Sequence, residues 1–517
     1  MSPPPAETPR RTRLVLLGVM LAMLLAMLDT NVVGTAMPTI VRDLGGLDHI
    51  SWVVTAYALT TAVSTPVWGK LGDLYGRKRL FLISIAVFLL GSCLSGASRS
   101  MTQLIGFRAL QGLGAGGLGA GALALVASLV PPRERGRYQG MTASVMAVGT
   151  VGGPLLGGQI TGHLGWRWAF YLNLPIGVVA LVWVAVMLRL PAARGAARVD
   201  WSGIALMTAA ISATVLGTTW AGSTYAWGSW QVLTAAGVAL AAGAGFLARE
   251  RRAVEPVLPL RMFTGHRNFP LSVGMLAAVG VVMFGCSLYV PLYQQTVQHA
   301  SVSDSGLLLL PLMAPVAVVS TFAGKAMSRT GRYKVFPVAG TALLTAGMLL
   351  LASMGAGTSF WLTSAYLMIA GAGLGLTMQM SGTIAQNSVA MRDIGAASGT
   401  TALFRTLGGS LGVAAFGSLL TAATGHGPAG GPHTAAYAHG VATGTRHIFL
   451  LAAGVCAVAF VLALCVREVP LRGAASGGPG GPGGPAGERS ASADDAAAGA
   501  ARFGVRRGRR ASAPAGG

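Results

Sequence analysis

The sequence predicts an all-α polytopic membrane protein: two six-helix bundles with two further helices inserted between them, fourteen transmembrane helices in all. Three observations carry that prediction. Only 10% of the 517 residues are charged and 53% are hydrophobic, whereas a soluble domain carries roughly 25% charged residues. Apolar stretches of about 20 residues, the length that crosses a bilayer, recur along most of the chain. Of the 37 Lys and Arg residues, 31 lie at the chain ends and in alternate loops, and only four in the other loops. That bias places the cationic loops in the cytoplasm. A soluble enzyme is excluded, and the net charge of +22 reflects these membrane-flanking loops and not a nucleic-acid footprint.

Each element follows from the same arithmetic. After a cytoplasmic arm at 1–13, the first apolar run stands behind Arg10, Arg11 and Arg13 and continues past Asp29 without a small-residue cleavage site. It therefore reads as a helix at 14–37 and not as a signal peptide. Spans at 50–69, 80–98, 102–129, 138–161 and 169–188 complete an N-terminal bundle over 14–190. The uncharged stretch 201–248, at ~1.5 Å per residue, is more than twice the bilayer's thickness. Its interfacial cluster from Trp220 to Trp230 splits it into spans at 202–220 and 230–248. Spans at 271–294, 305–324, 335–354, 359–382, 398–421 and 447–466 form the C-terminal bundle, 271–467, with the uncharged stretch 335–391 divided at Gly355 to Thr358. Residues 471–517, with repeated Gly-Gly-Pro and a closing Arg-Arg-Gly-Arg-Arg, are expected to be a disordered basic cytoplasmic tail. Both termini are expected in the cytoplasm of a cell-membrane protein. The four cysteines all fall within spans as small hydrophobes, with no metal or disulfide spacing.

An internal repeat supports two halves. The loop Gly69-Lys-Leu-Gly-Asp-Leu-Tyr-Gly-Arg-Lys-Arg79 recurs as Gly324-Lys-Ala-Met-Ser-Arg-Thr-Gly-Arg-Tyr-Lys334, and Gly140, Gly149 and Gly153 match Gly399, Gly408 and Gly412. Two parallel six-helix halves about an axis along the membrane normal are the plan of a secondary transporter. No phosphate-binding loop of Walker type is present, so no cofactor is expected and an ion gradient should drive the cycle.

The candidate chemistry centres on Asp29, the one acidic residue well inside a span. A charge there costs about 2.5–3.5 kcal/mol on insertion scales. Desolvation penalises the charged form, which suits such a carboxyl to binding and releasing protons. Arg108 in the fourth span lies at a matching depth and is its expected partner, so protonation and cargo could compete for one carboxylate. The glycine pattern after it, Gln111-Gly112-Leu-Gly114-Ala-Gly-Gly117, satisfies a dinucleotide-binding spacing, but in an apolar span it reads as helix packing. Asp73 stands near a helix end, where it can pair with Arg77 or with an opposing helix N-terminus to form a cytoplasmic latch. Gly149, Gly153, Pro154, Gly157 and Gly158 remove side-chain bulk and a backbone donor, so their helix is expected to bend and to pack on its counterpart in the other half. Arg405 is a second embedded charge, with no acid to name as its partner.

These segments resemble a known family. The loop Gly69 to Arg79, with Gly69, Asp73, Gly76 and Arg77, is similar to the signature between helices 2 and 3 of the major facilitator superfamily. Leu28 to Pro38, Gly149 to Gly158, and Gly165 to Gly177 with Trp166, Arg167, Trp168, Asn173 and Pro175, narrow the resemblance to the fourteen-span drug:proton antiporters. Asn31 and Gly34 stand where many members have Thr and Asn. The resemblance implies the major facilitator fold, a proton-handling role for Arg108, a state-stabilising role for the loop, and antiport associated with the glycine-proline motif. The expected activity is proton-driven export of hydrophobic cationic or neutral drug-like molecules, including antibiotics, by a monomer in the lipid bilayer, with no nucleic-acid partner. The rivals are a proton symporter importing a metabolite on the same fold and a non-transporting membrane receptor or scaffold.

Overall fold

The computed structural model describes residues 9–45, 50–190, 199–221, 225–253, 255–298, 309–355, 357–424 and 435–469. The basic tail predicted at 471–517 and the start of the N-terminal arm lie outside them. Sixteen α-helices fill the described residues. The N-terminal half holds α1 (Pro9–Leu44), α2 (Ile50–Tyr75), α3 (Arg77–Gly96), α4 (Met101–Leu129), α5 (Pro132–Leu164), α6 (Arg167–Tyr171) and α7 (Asn173–Met187). Between the halves come α8 (Trp201–Trp220), α9 (Trp230–Glu250) and the short α10 (Arg261–Gly265). The C-terminal half holds α11 (Asn268–Thr296), α12 (Leu310–Thr330), α13 (Val335–Ala352), α14 (Phe360–Asn387), α15 (Ile394–Thr424) and α16 (Ala435–Leu464). Among the described residues there is no strand beyond one isolated bridge, Ala221 with Tyr225.

Among the described residues, twelve helices are long and apolar enough to cross a membrane, where fourteen were expected. The difference lies in α2 and α5. Both are long, at 26 and 33 residues, but α2 carries Thr60, Thr61, Ser64, Thr65, Lys70 and Asp73. The first turns of α5 hold Arg133, Glu134, Arg135 and Arg137, and glycines and threonines follow. Composition alone therefore does not mark these two as spans. The sixth predicted span is divided into α6 and α7 with a turn at Leu172. Pro175 explains it: proline has no N–H for the carbonyl four residues back, Tyr171, and its ring crowds that carbonyl.

Helix ends follow local chemistry. Ser100, Asp200, Ser229 and Ser359 accept hydrogen bonds from the backbone N–H three residues on and cap α4, α8, α9 and α14. Gly76, with φ +98°, turns α2 into α3, and its repeat partner Gly331, with φ +71°, ends α12. Only glycine takes that backbone conformation without cost.

The halves meet along two long seams, α2 against α15 and α5 against α12. In the repeat, α2 corresponds to α12 and α5 to α15, so the seams are related by the pseudo-symmetry. Within the halves, α1 packs on α5 and α11 packs on α15 in the same way. The inserted α8 and α9 pack on each other, and α8 also leans on α2 and α15.

The Asp200 cap anchors that insertion. Burial opposes its charge, but Ser202, the Gly203 N–H and Arg249 together outweigh burial and hold its carboxyl below the usual carboxylate value. Its contribution is then present at all pH values above the ordinary carboxylate pKa near 4, and is lost only as pH falls through the lower folded value. Asp200→Ala should destabilise this helix pair by about 1 kcal/mol at neutral pH. Faster amide exchange confined to the first turns of α8 would report it, and unchanged exchange there would refute the cap.

Candidate functional site

Asp29 is completely buried inside the N-terminal half. Its carboxylate accepts three hydrogen bonds: from Arg108 Nη1 at 2.6 Å, Gln111 Nε2 at 2.8 Å and Asn173 Nδ2 at 2.8 Å. Arg108 Nη1 also donates to Gln111 Oε1 at 2.8 Å, and its guanidinium lies 4.0 Å over the Tyr57 ring. Asn173 donates further to Ser92 Oγ, which donates to the Phe170 carbonyl. One network thus joins α1, α2, α3, α4, α6 and α7. Burying an ion pair is costly unless its remaining donors and acceptors are met, and Gln111 and Asn173 meet them here.

The sequence brings Arg108 and Gln111 together because residues three apart share one helix face. The same reasoning could have recovered Gln111, which the glycine pattern hid. Tyr57 and Ser92 had no signal, because their roles depend on which faces of α2 and α3 turn inward. Asn173 stood out in the sequence only as part of a signature. The glycines after Gln111 are contact surfaces. A Cβ at Gly112 would strike Tyr57 and Thr60, and one at Gly114 would strike Phe88, so α4 lies close on both α2 and α3.

At one end of the α2–α15 seam, Asp73 Oδ1 accepts from Arg77 Nη2 at 2.8 Å, and Asp73 Oδ2 accepts from the Ala396 N–H at 3.0 Å, in the first turn of α15. Arg77 Nη2 also donates to the Met391 carbonyl. Gly69 and Gly395 touch backbone to backbone, with no room for a Cβ on either. The loop after α9 and the start of α10 clasp both sides of this contact: Glu255 pairs with Lys70 at 2.9 Å, and Arg261 pairs with Asp393 at 2.9 Å. In the repeat copy Ser328 replaces the acid and its hydroxyl bonds to Gly324 O within its own helix.

Gly149, Gly153 and Gly157 lie along one face of α5, where a Cβ would strike Met27, Asn31 and Thr35 respectively. That face packs on α1 of the same half, which corrects the expectation that it meets the other half; α5 reaches α12 elsewhere on its surface. The repeat behaves alike, since Gly408 and Gly412 of α15 pack on Ala277 and Val281 of α11. Pro154 lies within α5, and a Cβ at Gly158 would meet nothing within 4 Å.

The remaining signature residues close the end opposite the latch. Asp43 accepts from Trp166 Nε1 at 2.9 Å and from Arg167 Nη1 at 3.1 Å, and these bonds hold its carboxyl below the usual value. Arg167 also reaches the Ser98 carbonyl, and the exposed Trp168 stacks edge-on with Tyr171.

Between the halves lies a cavity of about 80 Å³ whose lining comes from α1, α4, α5, α11, α14 and α15. Met23, Met27, Met146 and Met378 contribute much of the apolar wall, and Gln379, Gln386, Thr142 and Arg405 the polar part. Asp29 and Arg108 are not in the lining, although other residues of their helices, α1 and α4, contribute to it.

Two helical halves around a central cavity are the plan of a membrane transporter. The chain matches the model of the Major Facilitator Superfamily over residues 19–413, and it belongs to that family. An uncharacterised MFS-type transporter of Mycobacterium tuberculosis is 42% identical over 399 residues, which is 77% of this chain and 58% of that protein. The chain thus spans under two thirds of that relative's length. The Bacillus subtilis multidrug transporter protein MdtP is 33% identical over 75% of this chain and 71% of its own length. Multidrug resistance protein 3 of Bacillus subtilis is 33% identical over 76% of each. The crystal structure of a human organic anion transporter, MFSD10, superposes with a TM-score of 0.62 at 15% identity over 88% of this chain and all of that one, a likeness of fold alone.

Proposed function

We propose that the chain is a proton-driven antiporter that exports hydrophobic small molecules from the cell by alternating access. In this reading all fourteen long helices cross the membrane, including the polar α2 and α5, which line the seams and face little lipid. Both termini are cytoplasmic. The observation that carries the reading is the Asp29 network. A carboxylate held by one cation and two amides, fully inside an apolar bundle, is a group whose protonation must rearrange its partners. Because α1 also presents Met23 and Met27 to the cavity, that rearrangement acts on the cargo site through the helix and needs no direct contact. Relatives named as multidrug transporters support the direction of transport.

The test is made on inverted membrane vesicles carrying the chain. Adding a hydrophobic substrate to an established proton gradient should release protons from the lumen, read with a pH-sensitive dye. A symporter would instead make expressing cells accumulate the substrate, and that result, or an unmoved proton signal, would overturn the reading.

A further inference from the structure

We propose that the central cavity recognises cargo by a negative charge: the ligand is a hydrophobic organic acid whose carboxylate pairs with Arg405. The inference rests on the exporter reading but concerns cargo alone.

Four observations converge on it. Arg405 is the one charged residue in the cavity wall, and no Asp or Glu is among the residues lining that cavity. Its guanidinium makes a long polar contact, Nη1 to Met378 Sδ at 4.0 Å, and no described carboxylate lies near it. A guanidinium offers five donors, so several remain for a ligand. Gln379, also in the wall, has an Nε2 donor without a partner, and Gln386 has an Oε1 acceptor without one. Buried polar groups are nearly always satisfied, so an unmet donor and an unmet acceptor beside an uncompensated cation mark a place where a ligand completes the bonding.

The geometry selects the charge class. A cationic ligand would meet Arg405 in a site of low dielectric with no acid to offset the repulsion. A neutral one would leave the guanidinium unpaired. An acid supplies the missing counter-charge and can accept from both Arg405 and Gln379. The cationic or neutral cargo expected from family resemblance is therefore not what this wall is built for. The rest of the ligand is apolar, since the wall around the charge is largely methionine, an unbranched side chain that reshapes to fit. At about 80 Å³ the cavity is smaller than the roughly 300–1,000 Å³ of ordinary ligand sites, so the ligand enters as the helices around it part.

The experiment compares three probes of one shape on the purified full chain in lipid nanodiscs without a proton gradient: 2-naphthoate, neutral 2-naphthamide and cationic 2-naphthylmethylammonium. Binding is read by equilibrium dialysis. Naphthoate should bind about tenfold to a hundredfold more tightly than naphthamide, the range for a hydrogen bond to a charged group, and the ammonium probe most weakly. Arg405→Gln should erase the acid's advantage, so that naphthoate binds no more tightly than naphthamide. Arg405→Lys should keep part of it, which preserves the test if the glutamine variant does not fold. Equal binding of acid and amide by the unaltered chain, or a preference for the ammonium probe, overturns the proposal. Since no gradient is involved, a chain that binds the acid but fails to release protons would sink the antiport reading and leave this one standing.

Discussion

Asp29→Asn is expected to abolish proton-driven transport. The substitution keeps the shape but removes the one group in the network that can take up a proton. It also turns an acceptor into an amide beside Arg108 Nη1, 2.6 Å from the original oxygen. Removing one side of a buried ion pair strands the other charge and costs about 3–5 kcal/mol, so the single variant should unfold at a clearly lower temperature in detergent. Loss of transport in that variant alone could then reflect damage. The double variant Asp29→Asn with Arg108→Gln separates the effects. With both charges gone the unfolding temperature should recover most of the loss, while substrate-driven proton release stays absent. Full proton coupling in a stable double variant would remove Asp29 from the mechanism.

The second large effect is expected at the latch. Gly69→Val places a side chain against the Gly395 carbonyl, where backbone meets backbone and neither can yield. Overpacking of this kind costs about 1–3 kcal/mol, but only in the state where α2 and α15 touch. Each 1.4 kcal/mol shifts such a two-state balance about tenfold, so turnover should drop roughly tenfold or more as the latched state empties. A cysteine introduced at Ala402, in the cavity wall, and placed in a background lacking the four native thiols, should become more reactive to an impermeant maleimide applied from the latch side. Labelling and turnover equal to the parent's would show that this contact does not govern the balance.

Much of this architecture could be read from the chain. The break between α8 and α9 lies where Trp220 and Trp230 bracket a polar cluster, because the bilayer's thickness leaves a long apolar stretch no other course. Asp29 and Arg108 could be paired by depth, since rise per residue is fixed and both helices start from known ends. Other features were out of reach. The glycine face of α5 could have turned to either half, because spacing gives a face but not its neighbour. The composition of α2 and α5 falls short of a span's for the same reason these helices matter: they sit at the seams, where polar groups have protein partners. Arg405 was visible as an oddity, but only the arrangement of α14 and α15 puts Gln379 and Gln386 in the same wall.

The glycine contacts that let α5 lie directly on α1 leave no compressible layer between the two helices, and a close-packed interior transmits displacement instead of absorbing it. A nudge at Asp29 therefore does not fade within its own bundle. The packing of α1 on α5 and of α5 on α12 would carry it to the opposite half as a push. In the proposed antiport cycle, coupling between proton and cargo would need no wire of polar residues through the membrane; it would need only that two rods stay fused along their length.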